Sequence, residues 1–216
     1  MCAFPLQPGS DPCNPSHDAG RVFAEAGRMV LQVPGMQEMV YGTFVEDATM
    51  LQLLVDWDSQ KCHLDWRKTE PFGPFSDLIW TIIQQHNLEI FHVDFEPPNK
   101  HRTVLSAPVT EVATFFFDDA PPADYLNGAA TFSQHCVEVK ADGFIDLVAG
   151  ITYQDLEREG VKGKAAVVMI GWRNIDDHAK FRETQVYKDH FHLLRRDATK
   201  IEVHHVAYRD IREISS

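Results

Sequence analysis

Basic residues are scarce in this chain. Lys and Arg together number 20 against 32 Asp and Glu in 216 residues, a formal net charge of −12. A nucleic-acid binder needs a basic face that displaces counterions, and an anionic bilayer attracts the same kind of surface, so both partners are excluded. Long apolar runs are also missing. None approaches the roughly 18 residues that span a bilayer. The start, Met1-Cys2-Ala3-Phe4-Pro5-Leu6, has neither the basic head nor the apolar stretch of a secretory signal. The four cysteines, Cys2, Cys13, Cys62 and Cys136, form no CxxC pair. No zinc site or disulfide framework is therefore expected, and scattered thiols suit a cytoplasmic protein. GxGxxG, GxxxxGK[ST], HExxH and GxSxG motifs are all absent, which leaves nucleotide, flavin, zincin and serine-hydrolase readings without support.

Rings are plentiful: 14 Phe, 5 Tyr, 4 Trp and 11 His. Much of this comes from an internal repeat at an offset of 115. Trp57, His63, Arg67 and Thr69 align with Trp172, His178, Arg182 and Thr184, and Trp66 and Phe72 align with Phe181 and Tyr187. Each Trp follows an apolar run, Met50–Val55 or Ala165–Ile170, of the kind that forms a buried strand. Ser59 and Asn174 follow as helix N-caps. In the second copy Asp176 and Asp177 sit where the helix dipole favours negative charge.

Reading outward from this anchor predicts βαββαβ twice. The first copy has a short edge strand Cys2–Leu6, a helix over Ala19–Val33, strands Met36–Val45 and Met50–Trp57, a helix to His86 and a strand Leu88–Phe95. The second has Glu111–Phe117, a helix over about Ala123–Lys140, strands Phe144–Tyr153 and Ala165–Trp172, a helix Ile175–Arg196 and a strand Ile201–Tyr208. Gly35 and Gly143 end the first helices, and Gly42 and Gly150 suggest bulges. Residues 1–96 and 110–216 then form two repeats joined by a proline-containing linker, 97–109, with the second repeat expected to hold the active site.

Apolar strand, Trp, small N-cap, His, aromatic, Arg and Thr together resemble the dimeric α+β barrel superfamily, in particular its antibiotic-biosynthesis-monooxygenase-like branch. The resemblance covers nearly the whole chain and implies an α+β fold: two tandem ferredoxin-like βαββαβ repeats in one intramolecular, pseudo-dimeric α+β barrel, the fused form found in fungi. Related barrels include cofactor-independent oxygenases of aromatic polyketides, polyketide cyclases, lactone isomerases and haem-degrading enzymes. Fold alone does not choose among them.

Comparison of the two copies narrows the candidates. Phe72 becomes Tyr187, Phe75 becomes His190, Phe91 becomes His204 and Phe95 becomes Tyr208. Tyr187, His190 and His204 are therefore the catalytic candidates, His as proton acceptor near neutral pH and Tyr as donor to a developing oxyanion. Polyketide cyclases of the superfamily carry an essential His near the Tyr187 position, from which this chain departs. Trp172, His178, Phe181 and Tyr208 are the substrate-binding candidates. The recurring Trp57/Trp172 and His63/His178 also read as packing and hydrogen-bonding residues, Arg67 and Arg182 as surface ion-pair residues. His205 reads as lying on the strand face away from His204, exposed or packed on the other layer.

No metal site is expected, because His190 and His192 do not share a helix face and His204 and His205 point apart. Haem would need an axial ligand such as His178 or His190, and nothing selects either. The expected protein is a cofactor-independent enzyme of secondary metabolism, monomer or homodimer. It would use acid–base chemistry to cyclise or isomerise an aromatic or polyketide-like small molecule. A cofactor-independent monooxygenase of a phenol or anthrone, or a non-catalytic binding or stress-response barrel, are the alternatives.

Overall fold

The structure is a computed structural model that describes residues 1–84 and 89–215. It is α+β, with two antiparallel sheets in two compact units. The first unit comprises residues 1–90 with the C-terminal segment from Arg209, the second Phe91–Tyr208.

The first unit contains β1 (Cys2–Pro5), α1 (Asp18–Leu31), β2 (Met36–Thr43), β3 (Met50–Trp57), α2 (Gln60–Trp66), α3 (Phe72–Trp80) and β4 (Glu89–Ile90). Its sheet runs β4-β1-β3-β2 and is extended beyond β2 by β9 (Arg209–Asp210), which leads into α9 (Arg212–Ser215). Phe23, Ala26 and Val30 recur at helical spacing on α1 and bury one face against Met39, Tyr41, Leu51 and Ile211. The expected helix to His86 and strand from Leu88 run in part through residues 85–88, which lie outside the described residues.

The second unit contains α4 (His101–Leu105), β5 (Val109–Phe116), α5 (Tyr125–Glu138), β6 (Phe144–Arg158), β7 (Val161–Trp172), α6 (Ile175–Glu183), α7 (Gln185–His190), α8 (His192–Arg195) and β8 (Lys200–Val206). Sheet order is β6-β7-β5-β8. The β6–β7 hairpin turns at Glu159-Gly160, both at positive φ, as a tight two-residue hairpin requires. Along β5 the pleat alternates. Ala113 and Phe115 face the helices and join Phe132 of α5 and Phe181 of α6 in one core, which also takes in Trp172 and Leu194. The stretch read as a linker is partly helical, since α4 lies within it.

Two expectations change for stated reasons. The long helix of each repeat is broken. Thr184 adopts an extended backbone (φ −70°, ψ 155°), and its hydroxyl donates to Phe181 O at 2.6 Å. Thr69 makes the same bond to Trp66 O at 2.7 Å. The recurring Thr is thus a break between helices. Gly150 is not a bulge either: it pairs in register with Val167, and the register shift falls between Ile151 and Asp155. The glycine is needed because another strand lies close. A Cβ there would stand 2.4 Å from Asp94 O and 2.3 Å from Val93 Cγ1.

That close strand is the stretch from Phe91 to Glu96. Among the described residues of the predicted strand Leu88–Phe95, Glu89–Ile90 pairs with β1. From Phe91 the chain runs along the outer edge of β6, with bridges Val93–Thr152 and Glu96–Ala149. Reciprocal bonds from Glu96 N to Ala149 O (2.8 Å) and from Ala149 N to Glu96 O (3.1 Å) fix it there. The edge of the second sheet is thereby covered rather than left open.

Candidate functional site

A buried carboxylate organises the chemistry of the second unit. Glu111 is on the same face of β5 as Ala113 and Phe115, facing the helices, and is 8% exposed. Its neighbour across the ladder on β8 is His205, also 8% exposed. Trp172 at the end of β7 donates its indole N–H to Glu111 Oε2 at 3.0 Å. Asn174 then caps α6, its side chain accepting from Asp177 N at 2.8 Å. This fixes the helix start so that His178, one turn in and 6% exposed, stacks on Trp172 with centroids 5.1 Å apart and planes at 20°.

His178 lies between the other two polar groups. Its Nε2 is 3.3 Å from Glu111 Oε2, and its Nδ1 is 2.8 Å from His205 Nε2. A carboxylate only accepts, so Nε2 carries the hydrogen toward Glu111. A neutral His178 then accepts at Nδ1 from the His205 Nε2–H. The result is a continuous chain, His205 to His178 to Glu111, with Trp172 holding the carboxylate.

Burial pushes the Glu111 carboxyl above the usual carboxylate range. The Trp172 hydrogen bond and the nearby His205 and Arg182 charges oppose this. A buried carboxylate made basic in this way, and wired to two imidazoles, can accept and return a proton.

Arg182 and Tyr187 lie within electrostatic reach of this chain. Tyr187 is half-buried between Phe181 (5.8 Å, 80°) and Phe191 (4.8 Å, 20°). Burial raises its phenol, the Arg182 charge lowers it, Glu111 raises it, and a hydrogen bond from Arg182 lowers it again. Arg182 is exposed and acts electrostatically on both Tyr187 and Glu111. An oxygen that becomes an oxyanion would find a guanidinium and a phenol there, beside a base.

The structure brings Trp172, His178, Phe181 and Tyr187 together. The other candidates are placed as follows. His190 on α7 stacks on His135 of α5 at 3.7 Å and 14°. His204 pairs across the ladder with Val112, so it sits on the sheet face away from Glu111. Tyr208 follows the end of β8. His205, expected exposed or packed on the other layer, is buried, because it shares the helix-facing side of the ladder with Glu111. Glu111 itself was passed over as a strand's first residue. The signal was an acid in alternation with Ala113 and Phe115, a polar group on an otherwise apolar face.

The first unit keeps part of the pattern. His63 stacks on Trp57 at 5.3 Å and 22°. The strand equivalent to β5 is β1, Cys-Ala-Phe-Pro, which holds no carboxylate. Elsewhere in the second unit, a groove of about 510 Å³ is lined by Glu96, Pro97, Lys100, Leu126, Val137 and Leu147. The Glu111 chain does not line it.

No protein-family model and no curated protein matches the chain. Solved structures do match its α+β fold. An anthrone oxidase-like protein is 14% identical at a TM-score of 0.58, covering 97% of this chain and 92% of that one. A monooxygenase candidate from Lactobacillus acidophilus is 9% identical at 0.55, covering 96% and 92%. A chlorite dismutase candidate is 11% identical at 0.53, covering 99% and 96%. At these identities the similarity is one of fold. No helix among the described residues is long and apolar enough to cross a membrane.

Proposed function

We propose that the protein is a cofactor-independent monooxygenase of a small phenol- or anthrone-type aromatic, with its reactive centre in the second unit. The observation that carries this reading is the buried His205–His178–Glu111 chain, with Arg182 and Tyr187 beside it. The chain takes a proton from the acidic C–H or O–H. Arg182 and Tyr187 hold the resulting oxyanion while the electron-rich ring gives an electron to O₂. Recombination forms a hydroperoxide, and loss of water leaves a carbonyl, so one substrate and one O₂ give one ketone and one water. The names of two fold neighbours, an anthrone oxidase-like protein and a monooxygenase candidate, favour oxygenation over the cyclisation that the same proton abstraction would also serve.

The fused-repeat reading belongs to this proposal. The first copy keeps the Trp–His stack as architecture, and the second adds the carboxylate. The four cysteines are free thiols, which suits a reducing compartment such as the cytosol.

The test is an oxygen electrode with chelator-treated protein and an anthrone. Oxygen uptake matched by quinone formation, lost in Glu111→Gln, supports the reading. Product formed without oxygen uptake moves the assignment to a cyclase or isomerase. Full uptake by Glu111→Gln removes the chain from the chemistry.

A further inference from the structure

We propose that Glu111, His178 and His205 also form a site for one divalent transition-metal ion of the zinc class, and that the ion, when bound, switches off the proton relay. This goes beyond the oxygenase reading. Its binding half stands on the geometry alone, and its switching half rests on that reading.

The residue types come first. Two imidazoles and one carboxylate are a donor set that zinc, cobalt and iron(II) accept, whereas magnesium and calcium prefer oxygen alone. Position comes next. One ligand atom from each residue can be chosen so that all three lie within 4.8 Å of one another, and all three residues are buried. Among the described residues this is the only such group of three. Ligand atoms about 2.1 Å from one ion are at most about 4.2 Å apart, so a pair at the 4.8 Å limit would close by no more than about half an ångström.

His178 Nδ1 and His205 Nε2 are already 2.8 Å apart. Neighbouring ligands of a tetrahedral ion with bonds of about 2.1 Å stand about 3.4 Å apart, so the two nitrogens need only separate slightly. The donors come from two paired strands and a capped helix, so their backbones are fixed in advance. Trp172 Nε1–H on Glu111 Oε2 is the outer hydrogen bond that metal-binding carboxylates usually have. A cation would also supply the charge that burial denies this carboxylate, which otherwise faces only the imidazoles and the Arg182 charge.

The switch follows from the lone pairs. The His178 Nδ1 lone pair that accepts the His205 hydrogen is the one that would bind the ion. His205 Nε2 must give up that hydrogen, to its other ring nitrogen or to solvent, before it can ligate. Ion and relay therefore exclude each other.

The experiment uses the full chain, stripped with chelator and desalted. Co²⁺ is titrated in while visible d–d absorption is followed, and Zn²⁺ is titrated by calorimetry. The proposal expects one ion per chain, a rise in melting temperature, and at least tenfold weaker binding in Glu111→Gln and in His205→Gln. His135→Asn combined with His192→Asn should bind as the parent does. Binding that survives both site variants, or disappears with the surface pair, overturns the site, as does the absence of one-to-one binding at micromolar ion. If the site variants fail to fold, protection of His178 and His205 from diethylpyrocarbonate by Zn²⁺ decides, and unprotected histidines overturn the site. Zn²⁺ that binds yet leaves oxygen uptake unchanged overturns the switch. A protein that binds Zn²⁺ but never consumes oxygen keeps the site and refutes the oxygenase reading instead.

Discussion

Replacing Trp172 by Phe isolates the cost of the buried carboxylate. Trp172 is fully buried, and its N–H donates to Glu111 at 3.0 Å. Phenylalanine keeps a ring over His178 and removes that donor. Leaving a buried acceptor short of a partner costs about 1–3 kcal/mol. The smaller ring leaves a void worth about 1 kcal/mol more. The sum, about 2–4 kcal/mol, corresponds to a melting shift of roughly 5–15 °C at this chain length. Trp57→Phe is the internal control. Trp57 is half-buried and stacks on His63 in the same way, but β1 holds no acid for it to serve, so the expected loss is about 1 kcal/mol of buried area. Urea unfolding of both variants, followed by circular dichroism, measures the difference. Adding Glu111→Met to Trp172→Phe should cost about 1–2 kcal/mol less than the two separate losses summed, because the acceptor has gone. Equal costs for the two Trp variants, or strict additivity with Glu111→Met, would refute the idea that the indole is there for the carboxylate.

Other outcomes follow from single contacts. Gly150→Ala places a methyl against Asp94 O and Val93 Cγ1, so it should destabilise the second unit by about 2 kcal/mol and speed hydrogen exchange at Ala149 N and Tyr153 N, the amides that bond to the added strand. Thr184→Val removes the cap on α7 and the bond to Phe181 O. It should cost about 1 kcal/mol and lower oxygen uptake through the loss of Tyr187 positioning. Tyr41 is fully buried, its hydroxyl lacks a hydrogen-bond partner among the described residues, and burial pushes the phenol up to about 12. A raised acid holds its full stabilising effect below its unfolded value near 10 and loses it as pH climbs toward 12. Tyr41→Phe should therefore flatten the fall in stability between pH 10 and 12 without harm at pH 7. Burial likewise pushes the Cys136 thiol up to about 12, so at pH 8 it should react with a disulfide reagent only after unfolding, while half-buried Cys62 reacts in the native state.

The repeat made most of the fold legible. Trp, N-cap, His and Thr recur at one offset, and each has a local physical job: Trp172 closes β7, Asn174 caps α6, Thr184 ends it. The strands from Met50 to Trp57 and from Phe144 onward could be read from periodicity and the glycines before them. The fate of Phe91–Glu96 could not. Its alternating pattern fits a strand in either sheet, and only the absence of a Cβ at Gly150 marks where it docks. The broken helices were equally hidden, since Thr184 and Thr69 were seen as conserved between copies while the bonds that break the helix are between a hydroxyl and a carbonyl three residues back.

The site was half legible, and the half that was missed follows from how it was sought. Looking for phenylalanines turned polar finds residues where one copy keeps an apolar equivalent. That logic reached Tyr187, which packs between Phe181 and Phe191 and interacts electrostatically with Arg182 and Glu111. It also selected His190, now stacked on His135, and His204, now on the far face of β8. It left His178 as a substrate-binding candidate and not as a proton carrier, because His63 matches it and the match reads as architecture. Nor could it reach His205, matched by His92. Yet a matched residue changes meaning when its neighbour changes. His63 and His178 make the same stack on equivalent Trp residues, and His178 has in addition a carboxylate at 3.3 Å and a second imidazole at 2.8 Å. The difference between the two copies is therefore less in the residues that were exchanged than in Glu111, one acid on an apolar strand face. It converts a packing histidine into the centre of a chain that can carry a proton or, when the two nitrogens give up their shared hydrogen, hold an ion.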